Sequence, residues 1–178
     1  MKYKNSYHSP LGKMIMASDG ERLTGLWFDD QKYFALHLSS DAVYSELPVF
    51  DKTKLWLDAY FKGDKPDFLP PISLKGTDFQ REVWDILLKI PYGSVMTYGD
   101  IAKVIAEKRG LSRMSSQAIG GAVGHNPISI IVPCHRVVGT NGSLTGYAGG
   151  LDKKEYLLKL ENVGKCSFDK IYINCYNI

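Results

Sequence analysis

The sequence predicts a mixed α/β (α+β) chain: a small N-terminal β-sheet domain carrying one helix, then a mostly helical C-terminal domain containing a helix-turn-helix. Three observations predict it. Segments rich in strand formers flank an Asp19-Gly20 turn signal, prolines crowd residues 63–73, and the stretch after Thr77 holds a succession of capped segments with apolar residues at helical spacing. At 178 residues the chain can form one domain or two small ones and bury a core without staples. The expected division is an N-terminal domain with its connector at 1–73, a second domain at 74–164 and a tail at 165–178.

Element by element, YHSPLGKMIMASDG followed by ERLTGLWF reads as a hairpin turning at Asp19-Gly20. KYFALHLSS fits strand or helix equally. KTKLWLDAYF, residues 52–61, reads as a helix with Leu55, Leu57, Tyr60 and Phe61 roughly on one side. GDKPDFLPPIS is a connector. Thr77 with Gln80 three residues on is a capping-box signature, opening a helix that carries Phe79, Val83, Ile86, Leu87 and Ile90 and stops at Pro91-Tyr92-Gly93. Thr97 caps the next helix, which ends near Gly110; a third starts at Ser115 or Ser116 and ends at Asn126-Pro127. Two short helices joined by a tight link suggest the helix-turn-helix.

Composition excludes several function classes. Hydrophobic residues make up 44% and charged residues 23%, ordinary for a globular protein, and a net charge of +3 permits nucleic-acid binding without arguing for it. No apolar run approaches the roughly 20 residues of a membrane span, and the polar MKYKNSYHSPLGK start is unlike a secretory signal. The expectation is a cytoplasmic protein with no membrane partner. Cys134, Cys166 and Cys175 are odd in number and contain no CxxC pair, which argues against a disulfide framework or a cysteine-rich zinc site. The four histidines show no metal-ligand spacing.

The third helix of the C-terminal half holds Gly120, Gly121 and Gly124, each unfavourable by about 1 kcal/mol relative to Ala in a helix interior. Either another helix packs closely against them, or the bare backbone approaches a nucleic acid; the helix before it favours the second. Lys108, Arg109 and Arg113 ahead of it can hold phosphates.

The run Ile128–Val132 reads as a buried, strand-like approach to Pro133-Cys134-His135-Arg136. A free thiol has a pKa of about 8.5, so a nucleophilic Cys134 needs a base or positive charge nearby. Neighbouring side chains in an extended strand point to opposite sides, so His135 can serve only if the backbone turns there or a water bridges the two. In the helix expected over residues 153–162, Glu161 follows Leu157 and Leu158 by one turn and so falls on the inward face, where a carboxylate needs a partner. His135 is the candidate, giving a Glu161–His135–water–Cys134 relay in which the carboxylate orients the imidazole and the imidazole takes the thiol proton. Taken as a bare dipeptide, Cys134-His135 would instead be an inert buried thiol beside a satisfied core histidine.

PCHRVVGTNGSLTGYAGG (133–150), with IGGAVGHNPISIIV (119–132) and TYGDIA (97–102) upstream and the Lys-Glu…Leu-Leu…Leu-Glu pattern (154–161) downstream, resembles the O6-alkylguanine-DNA alkyltransferases. The resemblance is strong from about Thr77 to Glu161; the N-terminal half fits in length and coarse pattern. It implies stoichiometric DNA repair, an alkyl group passing irreversibly from O6-alkylguanine, with O4-alkylthymine left open, to Cys134. His135 and Glu161 look like the activating relay, Tyr98 like the donor to the leaving guanine at N3, and Asn126 like the link between recognition helix and active-site turn. Tyr147, Ala148, Gly149 and Gly150 resemble the loop over the flipped base; the Ala148 amide would reach O6, and the carbonyls of Cys134 and Val137 the exocyclic amine. Arg136 braces the turn. Arg113, Ser115, Gln117, Gly120 and Gly121 fall on the implied DNA side.

The resemblance further implies a monomer acting on double-stranded DNA, without cofactor. Many relatives place an arginine where Gln117 stands, filling the gap left by the base; Gln117 can hydrogen-bond the orphaned partner but brings no charge, and Arg113 is the alternative. Some relatives bind zinc through an N-terminal cysteine, which this half lacks, so no metal is expected. Three rivals fit less well. Alkyltransferase-like lesion binders lack the acceptor cysteine, a transcription factor explains neither Cys134 nor Glu161, and a papain-like hydrolase has its histidine far from its cysteine.

Overall fold

The computed structural model describes residues 2–35 and 38–163. They divide into two compact units: one reaches to Lys75 and takes in Pro127–Ser129, the other runs from Gly76 to Asn126 and on from Ile130. The expected tail, with Cys166 and Cys175 and its strand-forming IYINCYNI end, lies outside the described residues.

In the first unit β1 (Tyr3–Ser9), β2 (Gly12–Ser18) and β3 (Leu23–Phe28) form an antiparallel meander, and β4 (Val43–Tyr44) joins β1 in parallel, giving the order β3-β2-β1-β4. The Asp19-Gly20 turn joins β2 to β3, and the Asp19 carboxylate accepts from the amides of Glu21 and Arg22 at 3.1 and 2.8 Å. A first hairpin, turning at Pro10-Leu11, was not anticipated. β3 is buried along its whole length, so LTGLWF shows no polar alternation. The outer edge of β3 is covered by two short bridges: Leu23 exchanges hydrogen bonds with Pro71 and Ser73, and Leu26 with Pro127 and Ser129, all at 2.8–2.9 Å.

Helix α1 (Pro48–Phe61) starts four residues before the expected 52, with Pro48 in the first turn where its missing N–H is harmless. It buries Val49, Phe50, Thr53, Trp56, Leu57 and Tyr60. Leu55, expected on that side, is 64% exposed, because two residues of helix rotate it roughly 200° from Leu57. Within 32–40 the described residues form turns and irregular backbone, neither strand nor helix.

The second unit contains α2 (Asp78–Leu87), β5 (Met96–Thr97), α3 (Tyr98–Lys108), α4 (Ser116–Gly124), β6 (Val137–Val138) and α5 (Leu151–Leu160). The Thr77–Gln80 capping box is complete, and Thr97 forms a second one with Asp100. α3 closes in a Schellman motif: the amides of Gly110 and Leu111 reach the carbonyls of Glu107 and Ala106 at 3.1 and 2.8 Å. Val83, Trp84, Leu87, Ile101, Ile105, Ile119 and Val123 meet in the core, each large apolar side chain contributing about 1.5–3 kcal/mol on burial. Trp84 Nε1 donates to the Ala122 carbonyl at 2.9 Å and ties α2 to α4.

Ile128–Val132 is not a strand. Only Ile128 makes a bridge, and Ile130 then takes a φ of 69°, a left-handed conformation that a β-branched residue rarely adopts. The run is apolar because it is buried, and a buried run need not be extended.

Candidate active site

The backbone turns at the cysteine. Cys134–Arg136 form a single turn of 3₁₀ helix, closed by the Val137 amide donating to the Cys134 carbonyl. Directly after it, β6 pairs in parallel with β5, Met96 opposite Val137 and Thr97 opposite Val138. β5 leads straight into Tyr98, the first residue of α3, so this two-residue pairing brings the start of α3 beside the Cys-His-Arg turn.

Cys134 is buried, 4% exposed. Asn126 sits at the end of α4 and splits its amide between two acceptors, donating to the Val132 carbonyl at 2.8 Å and to Cys134 Sγ at 3.1 Å. One side chain thus fixes both the turn and the sulfur. Burial pushes the Cys134 thiol up; the Asn126 hydrogen bond and the charge of Lys154 pull the other way and do not outweigh it. The sulfur at rest is a thiol.

His135 is fully buried, and its Nε2 lies 2.7 Å from Glu161 Oε1. Burial lowers its pKa despite the opposing effect of Glu161, so the ring is neutral, and the carboxylate contact assigns its hydrogen to Nε2 and leaves Nδ1 the acceptor. Glu161 was expected inside a helix over 153–162, but α5 ends at Leu160, and Glu161 is its C-cap. Asn162 follows in the left-handed region at φ 59°, and the amides of Asn162 and Val163 return to Lys159 and Leu158 at 3.0 and 2.9 Å, a Schellman motif that fixes where the carboxylate points. Val163 and Leu158 close it by packing with Val95 and Val138.

Glu161 has more partners than the sequence indicated. Arg136 donates through Nε to Oε2 at 2.8 Å and through Nη2 to Oε1 at 2.9 Å, and the Gly93 amide donates to Oε2 at 3.1 Å. Arg136 Nη1 reaches the Ile90 carbonyl at 2.6 Å, so Arg136 braces the turn against the segment that follows α2, which ends at Leu87 and not, as expected, at Ile90. Burial alone would raise the Glu161 pKa, but the hydrogen bonds and charges of His135 and Arg136 hold it well below the usual carboxylate range. Gly93, at φ 76°, makes the close approach possible: a Cβ there would stand 3.1 Å from the Glu161 carbonyl oxygen.

Lys154 was missed. It is fully buried in α5 and donates to the carbonyls of Val137, Thr145 and Gly146 at 2.6, 2.7 and 3.3 Å. Burial lowers it to about 8, with the charge of Cys134 acting in the opposite direction. The signal was present: Lys154 precedes Leu157 and Leu158 by three and four residues, the same spacing that singled out Glu161. The two carbonyls expected to face a base amine, Cys134 and Val137, already accept from the Val137 amide and Lys154, leaving each one lone pair.

Tyr98 donates its hydroxyl to the carbonyls of Thr145 and Gly146, both at 3.1 Å. Burial, then the charge of Cys134, pushes it up to about 12, so it remains a donor at neutral pH. The Gly150 amide returns to the Tyr147 carbonyl at 3.1 Å, making residues 147–150 a turn with Ala148 and Gly149 at its tip, directly before α5. The arrangement joins a thiol, a neutral imidazole backed by a carboxylate, and a phenol donor, which suffices to remove a proton from sulfur and to stabilise an anionic leaving group.

Model descriptions of the two domains of one family match almost the whole described chain: 6-O-methylguanine DNA methyltransferase, ribonuclease-like domain, over residues 2–74, and 6-O-methylguanine DNA methyltransferase, DNA binding domain, over residues 78–163. The chain belongs to the 6-O-methylguanine DNA methyltransferase family. Curated relatives named methylated-DNA–protein-cysteine methyltransferase include those of Haemophilus influenzae, 41% identical over 90% of this chain and 87% of the relative, and of Methanosarcina acetivorans, 44% identical over 92% and 99%. A crystal structure of Mycobacterium tuberculosis OGT in complex with DNA superposes with a TM-score of 0.77 at 41% identity, covering 89% of this chain and 92% of that one.

For a 6-O-methylguanine DNA methyltransferase the outer face of α4 is informative. Arg113, Ser115, Gln117 and Gly121 are exposed and Gly120 half-buried. A Cβ built on Gly121 or Gly124 meets nothing within 4 Å, and one on Gly120 meets only the Tyr98 ring at 3.9 Å. Close packing against a helix therefore does not account for these glycines. Ser115 also accepts from the Ala118 amide at 3.4 Å, capping α4.

Proposed function

We propose that this chain repairs double-stranded DNA by transferring the alkyl group of O6-alkylguanine to Cys134, once per molecule, as a cytoplasmic monomer. The observation that carries the assignment is the buried Glu161–His135 contact of 2.7 Å directly beside a sulfur held by Asn126. The lesion base leaves the stack and enters the site. The thiol proton passes through a water to His135 Nδ1 as Sγ attacks the alkyl carbon, and Glu161 balances the imidazolium. The C–O6 bond breaks with its electron pair on guanine, where Tyr98 and the Ala148 amide stabilise the charge. Tyr98 first exchanges its bonds to Thr145 and Gly146 for the base. The thioether is stable, and no group in the site returns the thiol.

Arg113 and Gln117 flank the point where α4 meets the duplex, with Gly120 and Gly121 letting the helix backbone approach, and one of the two, Gln117 or Arg113, occupies the gap left by the base. Binding through these contacts weakens with salt and shows little sequence preference.

Mass spectrometry of the protein mixed with duplex DNA carrying O6-methylguanine tests the assignment. One methyl group is expected on the peptide containing Cys134. Cys134→Ala is expected to bind the duplex and leave the methyl on DNA; methyl loss from DNA with that variant, or label on another residue, refutes Cys134 as acceptor.

A further inference from the structure

The Tyr147 hydroxyl has no place in the chemistry so far. Its oxygen is buried, although part of the side chain is accessible, and among the described residues it hydrogen-bonds to no protein group. A buried hydroxyl left unsatisfied is unfavourable, and such groups in native structures are commonly satisfied by ordered water. Its position is informative. Lys154 Nζ joins the Val137 carbonyl, at the end of the Cys134 turn, to the carbonyls of Thr145 and Gly146, and so brings the backbone leading into Tyr147 beside that turn; consistent with this, burial and then the charges of Cys134 and Glu161 push the phenol up. A phenol so raised keeps its proton: it can orient a water, as donor or acceptor, without taking up the proton in transit.

A buried water is held by about three hydrogen bonds. The water that the proposed relay puts between Cys134 and His135 takes two of these, one to the sulfur and one to the imidazole. We propose, on the assignment of Cys134 as alkyl acceptor, that Tyr147 is a positioning residue whose buried hydroxyl supplies the third hydrogen bond to the relay water. The water gives its own proton to His135 Nδ1 as it receives the one from Cys134 Sγ, so it leaves the step unchanged; the S–C bond forms, the C–O6 bond breaks, and the electron pair departs with guanine. The charged and titratable groups that act on Cys134 and His135 are Lys154 from α5, Glu161 at its C-cap, Arg136 from the 3₁₀ turn and Tyr98 from α3.

Tyr147→Phe keeps the ring and removes the hydroxyl. The measurement is single-turnover methyl transfer from O6-methylguanine duplex DNA, with its affinity, from pH 6 to pH 9. The expected result is unchanged affinity and a transfer rate lowered about tenfold near pH 7. The deficit should shrink toward high pH, where the thiol ionises without the relay. A wild-type rate at every pH overturns the proposal, as does a deficit equal at every pH or one that appears in affinity, each of which marks a ring or substrate contact.

A crystal structure of the unaltered protein provides a readout that does not depend on the variant's folding. It should show one water within hydrogen-bond distance of Tyr147 Oη, Cys134 Sγ and His135 Nδ1, and a Tyr147 hydroxyl bonded elsewhere overturns the proposal. Failure of Cys134 itself would be distinct, since wild-type protein would then gain no methyl.

Discussion

The turn around Cys134 and the outer face of α4 lie in the same unit and are built by opposite rules. Around Glu161 the structure packs charge at high density: the buried carboxylate accepts from His135, from two nitrogens of Arg136 and from the Gly93 amide. On α4 nothing stands within 4 Å of where a Gly121 side chain would begin. The first region uses protein contacts to fix a buried carboxylate and the imidazole it touches. The second forgoes them and accepts a weaker helix so that a backbone stays reachable.

The sharpest way to break that contrast is to remove the charge at its centre. Glu161→Gln leaves Arg136 buried with no counter-charge and is expected to lower stability by about 3–5 kcal/mol and to abolish efficient transfer, measured by denaturant unfolding and single-turnover assay. Its pH signature follows from the depressed folded-state pKa. Unfolded, the carboxylate titrates near the ordinary value, so its contribution is complete above that value and is lost as pH falls toward the folded one. Wild-type protein should therefore lose stability below about pH 4.5, and the variant should lose much less there.

Tyr98→Phe probes the chemistry with a smaller effect. Because the role proposed for the hydroxyl is to stabilise charge that appears only as guanine departs, transfer should slow about 10²-fold while DNA affinity changes little. Equal rates for variant and wild type would remove Tyr98 from the step.

Gly121→Ala should give the smallest change, and one of opposite sign in stability and in binding. With open space at that position, Ala should stabilise α4 by about 0.5–1 kcal/mol. Binding to duplex DNA should weaken, to a similar extent on every sequence, because the added methyl meets the DNA backbone. A variant both more stable and equally tight would mean that α4 does not approach DNA at this residue.

Much of the site could be read from the chain because its rules are local. The Thr77 and Thr97 caps depend on a hydroxyl and a residue three positions on, and both formed as expected. Glu161 was traceable because a carboxylate at apolar helical spacing must find a partner, even though it proved to be the helix cap rather than an interior residue. Gly93 and Ile90 were not traceable, since an amide and a carbonyl look alike in any sequence until the fold brings them to a charge. Lys154 was overlooked, although the spacing that marked Glu161 marks it equally.

What the sequence alone determined is the chemistry available: one cysteine next to a histidine, a carboxylate on an apolar spacing, a glycine-rich helix behind a basic segment, and the caps that start α2, α3 and α4. These depend on residue identity and on separations of a few positions. Tertiary structure alone decided how they meet. It bends Ile128–Val132 out of the strand their hydrophobicity suggested, splits the Asn126 amide between Val132 and Cys134, and aims Lys154 at three carbonyls. The physical reason is that burial satisfies polar groups with whichever partner the packed backbone brings within 3 Å or so, and that partner is set by contacts distant in sequence.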